Sequence, residues 1–508
     1  MASSIPAGCA APQVAAHLRP PILAGITNAP PNCIEEVTGA CLAVILTAPG
    51  DDEAREFPVE DSVVTTSPSS KAGSDSARAA VILAALCVAL LAGAAAGQTT
   101  PAPAPEPDAA EALFDPSVVH DLRLTMKPED WDTLKARCLW DTYYPADFQW
   151  RDMTVATVGV RSRGSGSRNS YKPGIKIDFN EFVDDQKFLK QKALILANAV
   201  QDPGMLNRRL ANLIFARMGL PAPRVVHARL FVNGDYAGLY ELVEEIEKPM
   251  LGRVFGRDAN GKKRDGGYLF EYNWDEHFNW TYPGDDLDAY AALFDPKTRD
   301  EDAPSLLYGP IEDMFQAINE SRDSDFESAA GAYLDLRQFV QFLAVERFTA
   351  DIDGFLGKWG PNNFYIYRFE GGRQSVIIPW DRDLAFYELY DDIFEGLERT
   401  VLGRRVMAVP ALRRLYLDTL LACAASVAQP DQPVQPDQVE PPLSWFEAEL
   451  LRERAQILDA ARADRMKPYT NERVDEAHEE LLDFARRRAA HVVAQVQREI
   501  ERGVLEAR

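Results

Sequence analysis

Several common chemistries lack their residues in this chain. Its 508 residues hold six cysteines and six histidines. No CxxC pair or Cys/His cluster occurs, which argues against a structural zinc site. Four of the cysteines (Cys9, Cys33, Cys41, Cys87) precede residue 98, leaving Cys138 and Cys423 either as one disulfide or as two thiols. HExxH, a complete GxxxxGK(S/T) and any Ser-His-Asp or Cys-His constellation are missing as well. Positive charge is scarce: 54 Lys and Arg face 78 Asp and Glu, a net charge of −24. That balance weighs against non-specific binding to nucleic acid or an anionic membrane and leaves a basic partner the easier one to accommodate. What remains is a globular composition, 46% hydrophobic and 10% aromatic. Its length suits two or three average domains, or one large catalytic domain with appendages.

Residues 1–78 are rich in Ala, Pro, Ser and acidic residues without periodicity, and are expected to be disordered. Alternatively, translation starts near Val63 or Val64 and most of this stretch is not part of the protein. Residues 79–97, AAVILAALCVALLAGAAAG, follow Lys71 and Arg78 and end in small residues. This is the anatomy of a secretory signal, with a membrane anchor as the rival; the many alanines make a weak span and favour cleavage. Residues 98–114 open as a Pro/Ala-rich linker. A folded part is expected over 115–428, a second Pro-rich linker over 429–442 (QPDQPVQPDQVEPP), and over 443–508 a helical appendage that packs on the core, with a partner-binding coil as the alternative.

The folded part turns on one stretch. FYIYRFE and RQSVIIPW read as strands, and the Gly371-Gly372 pair between them signals a hairpin. Asp353 and Asn363 precede the hairpin, and Asp381 and Asp383 follow it. In extended chain Asp381 and Asp383 share a face, and two carboxylates on one face need a cation or a proton between them. Upstream, the helix DLRQFVQFLAVERF delivers Asp351 and Asp353 at its C-terminal end, where a carboxylate is electrostatically disfavoured.

Earlier in the chain, TVATVGVRSR and IKIDF read as strands around the loop GSGSRNSYKPG, which carries Arg168 and Lys172 and is preceded by Arg163. Ile175, Ile177 and Phe179 share one face of the second strand, and Lys176 points the other way. Backbone amides beside such cations suit phosphate groups. MLNRRLANLIFARMG has helical spacing, and RVVHARLFVNGDYAGLYELVEEIE is a hairpin turning at Asn233-Gly234 and closed by Glu241, Glu244 and Glu245. One of these glutamates is a candidate partner for a phosphate-binding lysine. Residues 274–332 are acidic and aromatic, and read as an inserted lobe or a substrate-facing region.

These motifs, GVRSRGSGSRNSYKPGIKIDF, DPGMLNRRLANLIFARMGLPAP, LFVNGDYAGLYELVEEIE, PNNFYIYRF and IIPWDRDLAF, occur in an order that resembles the family of spore coat protein H (CotH), atypical protein kinases usually secreted or found on spore surfaces. The resemblance covers about 115–395. It implies a divergent, two-lobed kinase-like α+β fold that binds ATP with Mg2+ or Mn2+ and phosphorylates protein serines or threonines, with a basic, Ser-rich protein as the expected substrate. It further implies Asp353 as the catalytic aspartate, Asn363, Asp381 and Asp383 as metal ligands, and Lys172 or Lys176, with Arg163, Glu241 and Glu244, around the nucleotide. The long GFLGKWGPN segment leaves Asp351 against Asp353, and Asn362 against Asn363, open. Two rivals remain: a non-catalytic coat or adhesion protein on the same scaffold, and a calcium-binding domain, although Asp351-Ile352-Asp353-Gly354 lacks the downstream ligands of an EF-hand.

Overall fold

Alternating apolar and polar residues in the first half produce strands with one face to a shared interior. The computed structural model describes residues 108–430 and 442–506. The expectations for 1–78, for 79–97, for the tether up to 107 and for the linker over 431–441 lie outside the described residues. The architecture is mixed α+β. Strands β1 (His120–Met126), β2 (Tyr144–Trp150), β3 (Met153–Arg163), β4 (Gly174–Asp178), β5 (Ala193–Ala197), β6 (Val225–Val232) and β7 (Asp235–Val243) close a barrel in the order β1-β2-β3-β4-β5-β7-β6. Closure is made by parallel pairing of β1 with β6. Ile175, Ile177, Phe179, Leu194, Leu196, Leu230, Tyr240 and Leu242 fill the barrel core. Asn233 and Gly234, both at positive φ, turn β6 into β7. The Asn233 side chain also accepts a bond of 2.9 Å from the Met126 N–H, securing the seam at β1.

The expected tether ends earlier than residue 114. Ala110, Leu113 and Phe114 are buried in the barrel core, and Arg224 lies over the Phe114 ring while pairing with Asp108 at 2.6 Å. Three apolar side chains in sequence reach supply enough burial to dock the segment.

A second, antiparallel sheet contains β8 (Tyr268–Tyr272), β9 (Phe294–Pro296), β10 (Phe364–Arg368) and β11 (Ser375–Pro379) in the order β11-β10-β8-β9. An apolar seam joins it to the barrel: Ile195, Val225 and Val243 pack with Leu269, Tyr365, Ile378 and Trp380. The helices are α1 (Pro128–Ala136), α2 (Asn207–Arg217), α3 (Lys248–Phe255), α4 (Leu287–Leu293), α5 (Pro304–Leu307), α6 (Gly309–Glu320), α7 (Phe326–Gly331), α8 (Leu336–Phe348), α9 (Val401–Ala408), α10 (Pro410–Ala428), α11 (Trp445–Ala463) and α12 (Asn471–Glu506). Pro410 begins α10 after an extended Val409, which separates it from α9.

The largest core contains Trp280, Phe315, Phe339, Phe342, Leu420, Phe446, Leu450 and Val492. Residues 274–332 are therefore part of the body rather than an inserted lobe; Trp280 is fully buried against Phe315 and Phe355. Helices α11 and α12 pack on this core through Phe446, Leu450, Ile457, Leu481 and Val492, as expected for the helical segment over 443–508. Cys138 and Cys423 are both buried thiols, not joined by a disulfide.

Candidate functional site

The β10–β11 hairpin brings its two ends together. Phe364 pairs with Pro379, so the next residues outward, Asn363 and Trp380, meet, and the Trp380 N–H donates to the Asn363 carbonyl at 3.0 Å. Asn363 and Asp381 both have positive φ, at 56° and 51°, a region that Asn and Asp tolerate better than most residues. Helix α8, capped by Asp335, carries the chain to the same mouth from the other side. There the Asp353 carboxylate accepts from both asparagines, at 3.2 Å from Asn362 and 2.9 Å from Asn363. Burial is the main force pushing the Asp353 carboxyl up to about 7; the fields of Asp351 and Asp381 add to it, and the asparagine bonds oppose it. Asp351, by contrast, is fully buried and paired with Arg382 at 3.0 Å. Of the two aspartates, Asp353 is the accessible one.

Asp381 and Asp383 do not share an extended strand. The chain turns at Asp381 into a single 3-10 turn, Arg382–Leu384. The two carboxylates converge nonetheless, because Arg208 of α2 reaches both, Asp381 in a short contact and Asp383 at 3.1 Å, and also binds Glu241. Asn207, its neighbour, donates to the carbonyls of Asp383 and Ala385 at 3.0 Å each and locks the turn to the helix. Burial drives the Asp383 carboxyl well above the usual range, helped by Asp381. Burial acts on Asp381 in the same sense, but Arg208 and then Arg163 outweigh it and hold that carboxyl low. Asp381 keeps 32% of its side chain exposed, against 7% for Asp383.

The cations sort into two groups. Arg163 stands over the Trp380 ring at 5.7 Å, beside Asp381. Lys176 of β4 pairs with Glu245 at 3.2 Å and Asp178 at 3.6 Å; burial works to lower its pKa, and Glu245 outweighs it to leave the ammonium more firmly charged. Lys172, Glu241 and Glu244 are placed differently from the expectation that they face a nucleotide. Lys172 is sealed, 2.8 Å from Asp464 and over the Tyr240 ring. Glu241 is held by Arg208, and Glu244 by Arg224 at 2.7 Å and Arg253 at 2.5 Å. All three are buried, and a buried charge needs a partner. The glutamate that meets a lysine beside the hairpin is Glu245. Arg168 is spent on the loop itself, bonding the Gly164 carbonyl at 2.6 Å and Asp141 at 2.5 Å.

A family model described as CotH kinase protein matches residues 160–492. The chain belongs to that family. The matched region starts in β3 and ends in α12, so it takes in both lysines, the hairpin and Asp464. Among CotH relatives, the inner spore coat protein H of Bacillus subtilis is 24% identical over 269 residues, 52% of this chain and 68% of the relative. Invasin CotH7 of Rhizopus delemar is 23% identical over 261 residues, 50% of this chain and 41% of its own length. The solved structure of the Helicobacter pylori proinflammatory kinase CtkA aligns with 12% identity over 65% of this chain and 95% of that one, at a TM-score of 0.26, too low to equate the two folds.

Within this CotH chain, sequence reasoning missed Arg208, Asp464 and Asp202. A signal for Arg208 was present: Arg208-Arg209 sits in a helix with apolar residues on more than one face, which leaves no solvent side for two guanidiniums. Asp202 accepts from the N–H groups of Gly204, Leu206 and Asn207 at 2.8–2.9 Å and so caps the entry to α2. Asp464 lies too far along the chain from Lys172 for any local pattern to pair them.

Proposed function

We propose that this chain is an atypical protein kinase with a divergent two-lobed kinase-like architecture, passing the γ-phosphate of ATP to serine or threonine hydroxyls of a protein. The observation that carries the reading is the Asp353 carboxyl, pushed up to about 7 and oriented by Asn362 and Asn363, at the same hairpin mouth as the partly exposed Asp381. A carboxyl near neutrality is suited to orient an acceptor hydroxyl and receive its proton. Arg163 and the Lys176–Glu245 pair would neutralise phosphate charge from the barrel side.

Among the described residues no three His, Cys, Asp or Glu side chains form a ready cation cage. Mg2+ does not need one, since it is commonly held by one or two carboxylates together with substrate phosphates and water. The donor set of Asp381 and Asp383 with Asn363 fits that mode, Asp381 being the accessible carboxylate. When bound, Mg2+ or Mn2+ would supply charge neutralisation at the phosphates. Arg208 keeps the two aspartates converged.

The acidic chain suits a basic, Ser-rich acceptor, and relatives named as spore coat proteins and invasins support a secreted or surface location. The same names favour a second reading, a surface assembly or adhesion protein without turnover. Calorimetric titration with ATP in the presence of Mg2+ or Mn2+ separates the two. Metal-dependent binding by the wild type, weakened about 100-fold in Asp381→Asn, supports the kinase. Absence of binding, or equal binding by the variant, supports the scaffold.

A further inference from the structure

Arg382 follows Asp381 in the chain and is fully buried. Its guanidinium turns away from Asp381's partners and engages three groups at once. Nη1 donates to Glu346 at 2.6 Å and to Asp351 at 3.0 Å, and Nη2 donates to the Asn363 carbonyl at 2.6 Å. Each partner passes the constraint on. The other oxygen of Asp351 accepts the Asp353 N–H at 2.9 Å, and the other oxygen of Glu346 accepts the Leu356 N–H at 2.6 Å. Asn363 in turn donates to the Asp353 carboxylate. The rings of Phe215 and Phe342 each stand 5.7 Å from the guanidinium. A Cβ at Gly354 would press on Arg382 Nη1 and the Glu346 carboxylate, so the bare backbone at 354 is part of the same fit.

We propose that Arg382 is a positioning residue that sets the distance between Asp353 and Asp381, wiring the turn that carries one to the loop that carries the other. The role rests on the phosphoryl-transfer reading given above. It requires the planar fork and not only the charge: an ammonium has its donors on a single nitrogen and cannot stand in for both Nη1 and Nη2. Arg382 touches neither nucleotide nor acceptor in this scheme; it acts through the geometry of Asp353 and Asn363. A misplacement of about 1 Å at a reacting centre lowers rate by about 100-fold.

The test uses the full chain and its Arg382→Lys and Asp351→Asn variants, with ATP, Mg2+ and a basic Ser-containing peptide. Arg382→Lys is expected to bind ATP at the wild-type stoichiometry with KM for ATP within about twofold, while kcat falls about 100-fold. Unchanged stoichiometry separates misplacement from loss of folded protein. Asp351→Asn, which removes one arm but keeps an acceptor for the Asp353 N–H, is expected to lose about tenfold in kcat; it serves as the test if Arg382→Lys does not fold. A kcat within about threefold of wild type in the folded variants overturns the role. A wild-type protein that transfers no phosphate is a different failure: it overturns the kinase reading, and this role with it.

Discussion

Lys172 and Lys176 stand four residues apart in one Gly-rich segment, and the fold gives them opposite fates. Lys172 is completely enclosed with Asp464, and burial lowers its pKa in spite of that partner. Lys176 keeps 19% exposure beside Glu245, and its pKa is raised. One pair fastens the C-terminal helices to the barrel; the other stands at the seam where barrel and hairpin meet. The difference teaches that a lysine near a flexible loop is assigned by what reaches it from distant chain. Asp464 does more than neutralise Lys172, since its carboxylate also accepts the N–H groups of Leu239, Met466 and Lys467. The contact is a joint.

Breaking the buried pair should have the largest effect. Lys172→Met leaves Asp464 buried without its cation, and chemical denaturation should show a loss of about 3 to 5 kcal/mol. Lys176→Met should reverse the pattern, with kcat/KM for ATP falling about 100-fold, while stability changes by less than about 1 kcal/mol because the pair is partly exposed. The C-terminal joint is sharpened by a pH series on Glu453, buried beside His227, Arg209 and Arg452. Burial works to raise its carboxyl, but His227 and the two arginines outweigh it and hold the group at about 2. A depressed carboxyl contributes stability that is present above its unfolded value near 4.5 and is lost as pH falls toward 2. Wild type should therefore lose on the order of 2 kcal/mol relative to Glu453→Gln between pH 5 and pH 2 in denaturant titrations. The smallest change is expected at Tyr171, 78% exposed on the Gly-rich loop. Tyr171→Ala should move stability by no more than about 0.5 kcal/mol.

Local signals were legible where local chemistry decides the structure. The Asn233-Gly234 and Gly371-Gly372 turns announced both hairpins, and the alternation of Ile175, Ile177 and Phe179 against Lys176 marked β4 as a strand with one buried face. The meeting of Asn363 with the Trp380-Asp381 end followed from the hairpin register, and Asp353 was brought to it by α8. Barrel closure was not legible, because β1 and β6 pair in parallel across more than a hundred residues and no turn residue marks the pairing. Nor were the arginine partners. Arg208 and Arg382 owe their positions to Glu241, Glu346 and Asp351, which tertiary packing alone brings to them. The same blindness made Glu244 look like a ligand-facing group, when Arg224 and Arg253 enclose it.

The account depends most on Asp353 at the hairpin mouth. The direct measurement is the initial rate of γ-phosphate transfer from ATP to a Ser-containing basic peptide by wild type and by Asp353→Asn, with folding of both verified by thermal melting. The account predicts measurable transfer by wild type and a fall of at least about 1,000-fold in the variant. Equal rates from the two proteins would contradict it.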